Sequence, residues 1–369
     1  MSVTTTTPAE FDALLVLSFG GPEGNEEVVP FLENVTRGRG IPRERLAQVG
    51  KHYFHFDGVS PLNRLNREMI ANIEKELGSR GRSLPVYFGN RNWHPFATDT
   101  AERMARDGVR NVAVFATSAW GGYSACRQYD EDIERVRQHL AEKGLPDITF
   151  TKIRQFYDHP QFVSDMAKSV QRAVEQVPDA ERDATAVLFS AHSVPNAHDD
   201  AGGAAGDKNL YSRQVAEASR LVAEAAGISD YEVVWQSRSG NPATPWLEPD
   251  VVDRSLELGK EGVKHIVCVP IGFITDHMEV VWDLDTELKD DCAEAGMTVD
   301  RVPTVGLEPG FASMVVDIAE NVTQKEKPAT LSEVTVQGCT VNGSPCAPDC
   351  CMMQRPGMPA PSHPQNPVV

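Results

Sequence analysis

Positive charge is what this chain has least of. It carries 35 Lys and Arg against 53 Asp and Glu, a formal net charge of −18 over 369 residues. That balance excludes a nucleic-acid backbone or an anionic membrane surface as the main partner, because both are held by clustered cations. Long apolar runs are missing too. None reaches the ~18 residues a spanning helix needs, so no integral membrane association is expected. Residues 1–10 are Thr-rich, with no basic n-region and no long apolar stretch, so no secretory signal is expected and the expected compartment is the cytoplasm. The turn Gly20-Gly21-Pro22 allows close backbone approach to a ligand but lacks the rest of the dinucleotide fingerprint, which leaves a nicotinamide site with little support. No residue-level internal repeat is found.

What is present is a globular composition, 41% hydrophobic and 24% charged. The length suggests about two domains at ~100–200 residues each. Short apolar runs at 13–19, 86–88, 112–115 and 148–153 read as buried strands, and so do 186–191, 232–236 and 265–271. Helical spacing recurs between them at 26–34, 98–107, 130–143, 159–176, 211–226, 251–260 and 279–295, with a last helix at 307–321. Strand and helix alternate with βαβ spacing, so the fold class is α/β, built from two successive units. The expected division is 12–155, 156–305, a terminal helix in 306–335 and a cysteine-rich tail, 336–369. Residues 341–369 are rich in Pro, Cys and Met and cannot bury a core, so the tail needs an external staple. Four of the seven cysteines, Cys339, Cys346, Cys350 and Cys351, crowd into it, while Cys126, Cys268 and Cys292 are scattered. In a reducing compartment such crowding reads as a metal or cluster site before it reads as disulfides.

Two stretches carry the chemistry. The strand 186–189 runs into Ser190-Ala191-His192-Ser193-Val194-Pro195, which puts His192 at a strand's carboxyl end, where α/β sheets bind ligands. A neutral imidazole there accepts a proton or binds a metal. The plainer alternative is a histidine satisfied by a backbone hydrogen bond. Gly202 to Gly206 is placed to act as a rim or lid. The second stretch is Asp276-His277-Met278-Glu279, continued by Asp283 and Glu287. On a helix, Glu279, Asp283 and Glu287 share one face, a repulsive arrangement that makes sense if the stripe guides a cation or carries protons. Asp276 and Glu279 also fit an N-terminal capping box, which accounts for those two acids alone. With His277 the acids could bind a divalent metal through N and O donors. His192 and Glu279, each beyond a strand end of the same half, can face each other across one cleft. A base opposite a carboxylate stripe suits exchange of protons for a metal ion. Elsewhere, Arg37, Arg39, Arg43 and Arg45 form a local basic cluster, either a solvated face or a site for carboxylates. Ser60, in a Gly- and Pro-containing loop, can present its hydroxyl to a ligand.

These residues fall into motifs that resemble the ferrochelatase family, most closely its actinobacterial, coproporphyrin III-using members. The motifs are Leu17-Ser18-Phe19-Gly20-Gly21-Pro22, Gly58-Val59-Ser60-Pro61-Leu62, Gly89-Asn90-Arg91-Asn92-Trp93, Ser190-Ala191-His192-Ser193-Val194-Pro195, Gln236-Ser237-Arg238-Ser239-Gly240 and Thr275-Asp276-His277-Met278-Glu279, in the family's order. The resemblance spans about residues 12–325. It implies two Rossmann-like domains of the type II chelatase kind with a porphyrin between them. It implies insertion of ferrous iron, as substrate, with release of two protons. His192 and Glu279 match the family's metal-binding and proton-accepting pair, and Asp283 and Glu287 its acidic path. Ser60, Tyr129, His52 and Tyr53 match porphyrin-contacting positions, with Arg37 and Arg39 as candidates for the propionates. Phe19 stands where some members carry a tyrosine near the metal, and it has no oxygen to offer. The tail resembles members holding a [2Fe–2S] cluster on one mid-chain and three C-terminal cysteines. That implies Cys126, Cys339, Cys346 and a fourth ligand, Cys350 or Cys351. Coproporphyrin III, with four propionates against two, is expected over protoporphyrin IX, and a monomer is expected. The competing reading is a porphyrin- or haem-binding carrier or redox sensor without turnover.

Overall fold

The computed structural model describes residues 10–38, 43–203, 206–324, 329–332 and 350–352. Among the described residues eight strands form two four-stranded sheets, and every pairing between these strands is parallel. The first sheet holds β1 (Ala13–Ser18), β2 (Val86–Asn90), β3 (Asn111–Ala116) and β4 (Thr149–Lys152), in the order β2-β1-β3-β4. The second holds β5 (Thr185–His192), β6 (Glu232–Gln236), β7 (His265–Val269) and β8 (Thr298–Arg301), in the order β6-β5-β7-β8. The two orders are the same. The central strands are continuous apolar runs because both faces of a parallel sheet are covered.

Alternation along those strands decides which core each residue enters. Leu14 and Val16 of β1, Phe189 and Ala191 of β5, and Val267 and Val269 of β7 point into one shared core that runs through both halves. Leu15 and Leu17 point the other way, into a cluster closed by Met104, Ile133 and Phe150. Leu188, Ile266 and Cys268 enter the matching outer cluster of the second half. Phe115, Phe156 and Phe311 meet in the shared core with ring centroids 5.3–6.0 Å apart.

Two helices lie where the sequence reading assigns no element, Arg43–His55 and Leu62–Ser79. The second buries Met69, Ile70, Ile73 and Leu77 together with Asn63 and Asn66. The terminal helix, Pro309–Gln324, crosses back to pack on Leu62–Ser79. Arg80 ties the two, reaching Asp317 at 2.6 Å, Glu320 at 3.1 Å and the Ser313 hydroxyl at 2.8 Å. Strand β8 is also unanticipated, since its four residues are at most half-buried and carry no apolar run. The expected single helix at 279–295 is instead a helix at Met278–Trp282, a π turn at Asp283–Glu287 and a helix at Leu288–Glu294.

Candidate functional site

His192 is the last residue of β5, in register with Gln236 of β6. Its Nδ1 lies 2.5 Å from the Ser193 carbonyl oxygen, which can only accept, so Nδ1 carries a proton. Nε2 is thereby turned to Glu279, 3.4 Å from Oε2. Both side chains remain open to solvent, 35% and 53% exposed. They lie side by side within reach of solvent. Burial pulls the His192 pKa down, but the Glu279 charge and hydrogen bond, the Ser193 carbonyl and Asp283 outweigh it and bring it to about 9. Glu279 answers in kind. Burial pushes its pKa up, and His192, His277 and His52 bring it down to about 2. The pair rests as imidazolium and carboxylate.

Glu279 is placed by the turn after β7. Its backbone N–H donates to His277 Nδ1 at 3.2 Å, so His277 caps the helix. Asp276 does not form the capping box its spacing suggests. Arg301 takes it at 3.0 and 3.1 Å, and binds Asp285 as well. The Glu279 carboxylate is therefore free to face the histidine. Eight residues of regular helix would rotate roughly 80° off a straight stripe. The π turn takes in one residue more per turn and offsets that drift. Asp283 accordingly feels both Glu279 and Glu287. Burial first, then those two charges, push its pKa up to about 7, against the pull of the Ser237 hydroxyl that donates to Oδ2. Ser237 makes this bond from a left-handed backbone, φ 63°, and Gln236 Nε2 adds a donor at 3.3 Å.

Helix Arg43–His55 packs against the short helix that carries Glu279. The His52 ring stacks on Trp282, 4.1 Å between centroids and 5° from parallel, and lies within reach of the Glu287 and Glu279 charges. Burial prevails and lowers its pKa. Tyr53, whose hydroxyl is held protonated by burial and by Glu279, packs on Phe31 at 5.8 Å. Phe19, 40% exposed at the end of β1, meets the edge of the same Phe31. His52, Tyr53, His192, Glu279, Asp283 and Glu287 thus share one neighbourhood. Ser60 and Tyr129 do not open onto it. Ser60 is buried beneath Gly21 and accepts from the Leu62 N–H at 3.4 Å. Tyr129 is buried under the Arg91 guanidinium, 4.6 Å from its ring. Arg37 is exposed just past the helix Asn25–Val35. Arg39 lies outside the described residues. Trp282 was not singled out from the sequence; an aromatic set between Glu279 and Asp283 was the available signal.

The cysteines divide in two. Cys268 and Cys292 lie in the second outer core, where burial pushes their thiols up to about 12 and about 11. Cys126, in the π turn Tyr123–Arg127, receives a hydrogen bond on sulfur from Lys152 Nζ at 3.1 Å. Lys152 is itself buried and paired with Asp130 at 2.7 Å. Cys350 and Cys351 come to this place from the far end of the chain. Arg127 donates to the Cys350 carbonyl at 2.9 Å, and the Cys351 N–H donates to Gly203 O at 2.8 Å. Their sulfurs are 3.6 Å apart, and the Cys350 contact first, with backbone N–H groups and Lys152, lowers the Cys351 thiol to about 7. Gly203, from the loop expected as a rim or lid, accepts from this cysteine. Cys339 and Cys346 lie outside the described residues. Among the described residues no group of three or more His, Cys, Asp or Glu stands ready to hold a metal ion.

Compared with known proteins, residues 11–323 match the family Ferrochelatase. Coproporphyrin III ferrochelatase of Corynebacterium glutamicum (strain R) is 59% identical over 345 residues, covering 94% of this chain and 93% of its own. The enzyme of the same name from Corynebacterium diphtheriae is 55% identical over 363 residues, covering 96% and 98%. Among solved structures, SirB from Bacillus subtilis with Fe3+ superposes with a TM-score of 0.50 at 14% identity, covering 85% of this chain and 97% of its own, a likeness of fold.

Proposed function

The chain belongs to the ferrochelatase family, and from that premise we propose that it inserts ferrous iron into coproporphyrin III in haem biosynthesis. The observation that carries the site assignment is the His192–Glu279 pair, 3.4 Å apart and both partly exposed. At rest the pair is internally neutralised. A divalent cation arriving at Glu279 cancels the charge that keeps His192 protonated, so the base becomes available when the metal does. Two pyrrole protons leave as one Fe2+ enters, and the macrocycle's charge is unchanged. His192 accepts at Nε2, since Nδ1–H is occupied by Ser193 O. Asp283, titrating at about 7, can take a proton and release it near neutrality, with Glu287 beyond it. His52, Tyr53, Phe19 and Arg37 are assigned to the porphyrin and its propionates, while buried Ser60 and Tyr129 are not, and the four carboxylates of coproporphyrin III give exposed Arg37 a partner in an otherwise acidic chain. The test is anaerobic mixing of the protein with ferrous iron and coproporphyrin III, followed by the Soret band. Metallation by the wild type and none by His192→Ala is expected. Tight porphyrin binding without metallation would mark a carrier and sink the enzyme reading.

A [2Fe–2S] cluster is proposed on Cys126, Cys339, Cys346 and Cys351, with Cys350 as the alternative fourth ligand. What supports it is donor chemistry: a Cys351 thiol poised to ionise, a second sulfur beside it, and buried Lys152 and Arg127 to balance thiolate charge. Such a group supplies one-electron chemistry when bound. Arg127 and Gly203 hold Cys350 and Cys351 through their backbone. Purified protein should absorb in the visible, Cys126→Ser should bleach it, and Cys268→Ser or Cys292→Ser should not. A colourless wild type purified anaerobically would remove the assignment. Residues 12–155 and 156–305 are assigned as the two α/β units of a cytoplasmic monomer. Among the described residues, no helix is long and apolar enough to cross a membrane.

A further inference from the structure

We propose that Tyr211 is a positioning residue for His192, acting through the backbone: its hydroxyl holds the His192–Ser193 peptide in the plane that aims the imidazole at Glu279. Tyr211 stands in the first turn of the helix Leu210–Ala226, and its hydroxyl donates to the His192 carbonyl oxygen at 2.9 Å. The other end of the same peptide is held as well, since the Ser193 N–H donates to Gln236 O at 2.8 Å. A peptide unit is rigid and planar, so fixing its oxygen and its nitrogen fixes its orientation. The next carbonyl follows. Ser193 is anchored by its hydroxyl on Leu247 O at 2.8 Å, and its own oxygen is presented to His192 Nδ1. That last contact sets the tautomer and turns Nε2 towards Glu279. The hydroxyl reaches the strand end because the ring is wedged between Trp235, 5.7 Å away, and Trp120, 6.4 Å away. Trp120 performs the same service next door, where its Nε1 donates to Gly272 O at 3.0 Å, on the loop that leads to Glu279. Tyr211 is 7% exposed and its hydroxyl is engaged by the His192 carbonyl, so it acts on the imidazole through the backbone.

This inference rests on the chelatase reading with His192 as proton acceptor. The experiment compares wild type, His192→Ala and Tyr211→Phe as purified full-length protein, with coproporphyrin III and ferrous iron. Tyr211→Phe keeps the wedged ring and loses only the hydroxyl. Its kcat should fall about three- to tenfold, the weight of one neutral hydrogen bond. KM for porphyrin and for iron should stay at the wild-type values, with porphyrin still binding one per chain. Nitrogen-15 spectra of labelled histidine should place the His192 ring proton of the neutral form on Nδ1 in the wild type and spread it over both nitrogens in the variant. An inactive wild type removes the chelatase reading and this inference with it. An active wild type beside a Tyr211→Phe protein with unchanged kcat and an unchanged ring signal removes this inference alone. Should the variant not fold, a wild-type proton found on Nε2 overturns it without the variant.

Discussion

The two halves of the molecule have the same strand order and opposite strand ends. Ser18 closes β1 in register with Asn90, and His192 closes β5 in register with Gln236. The positions are topologically equivalent, and both neighbours are buried amides. Ser18 is fully buried, and its hydroxyl oxygen accepts from Asn66 Nδ2 and from the Thr117 hydroxyl, each at 2.9 Å. His192 is one-third exposed and faces a carboxylate. The first half thus ends in short neutral groups that satisfy each other, and the second in charges left available. Asn66 also accepts from Thr275 at 3.1 Å, so the neutral end braces the turn that carries Glu279. One scaffold used twice separates support from chemistry, because a neutral network can be buried at little cost while reactive charges must stay near water.

Making the halves alike should break the chemistry. His192→Ser, which gives β5 the residue of β1, should cost about 10²–10⁴-fold in kcat, the range of a lost general base, with the melting temperature nearly unchanged. Steady-state metallation and a thermal scan decide it; substantial residual turnover would show that the two ends are not functionally distinct. Glu279→Gln should cost more activity than Glu287→Gln, measured side by side, because only Glu279 meets His192. On the other side of the comparison, Asn66→Ala strips partners from buried Ser18 and Thr275. It should lower stability by about 1–3 kcal/mol, read by urea unfolding, while turnover per folded molecule stays within a few-fold. The smallest effect sharpens the cost of leaving charge unneutralised. The folded pKa of Asp283, about 7, lies above its ordinary 3.8, so the folded state binds that proton more tightly. Stability falls as pH rises from 3.8 through about 7 and stays reduced above it. Asp283→Asn should therefore melt a few degrees higher than wild type at pH 8 and not at pH 4, with slower turnover. An equal shift at both pH values would assign the gain to packing.

Much of this was legible in the chain because continuous apolar runs have few alternatives. Residues 13–18, 186–191 and 265–269 are buried parallel strands, and a histidine just past one of them lands where ligands bind. The helix Leu62–Ser79 escaped because Asn63 and Asn66 interrupt its apolar stripe. They are buried for the network they serve, and that network is with residues far away in sequence. The capping box failed for the same reason, since Arg301, 25 residues further on, takes Asp276. The π turn has no period of its own to read, and Tyr211 looked like any helical aromatic. Local pattern gives the strands and the charged pair. Partners brought together by topology decide what each side chain then does.

The clasp between the helix Leu62–Ser79 and the terminal helix bears on how the chain is made. Arg80 and Asp317 are 237 residues apart. At ~5–20 residues per second, a ribosome needs roughly ten to fifty seconds to bridge that gap. The first sheet is complete once β4 has been made, but until the terminal helix follows, the face that Leu62–Ser79 will share with it has no cover. Met69, Ile73 and Leu77, all buried in the finished protein, must wait in water or in the care of a chaperone. Slow codons or a stall in the last third of the message should therefore expose the first half to aggregation and proteolysis, although not one of its own residues has changed.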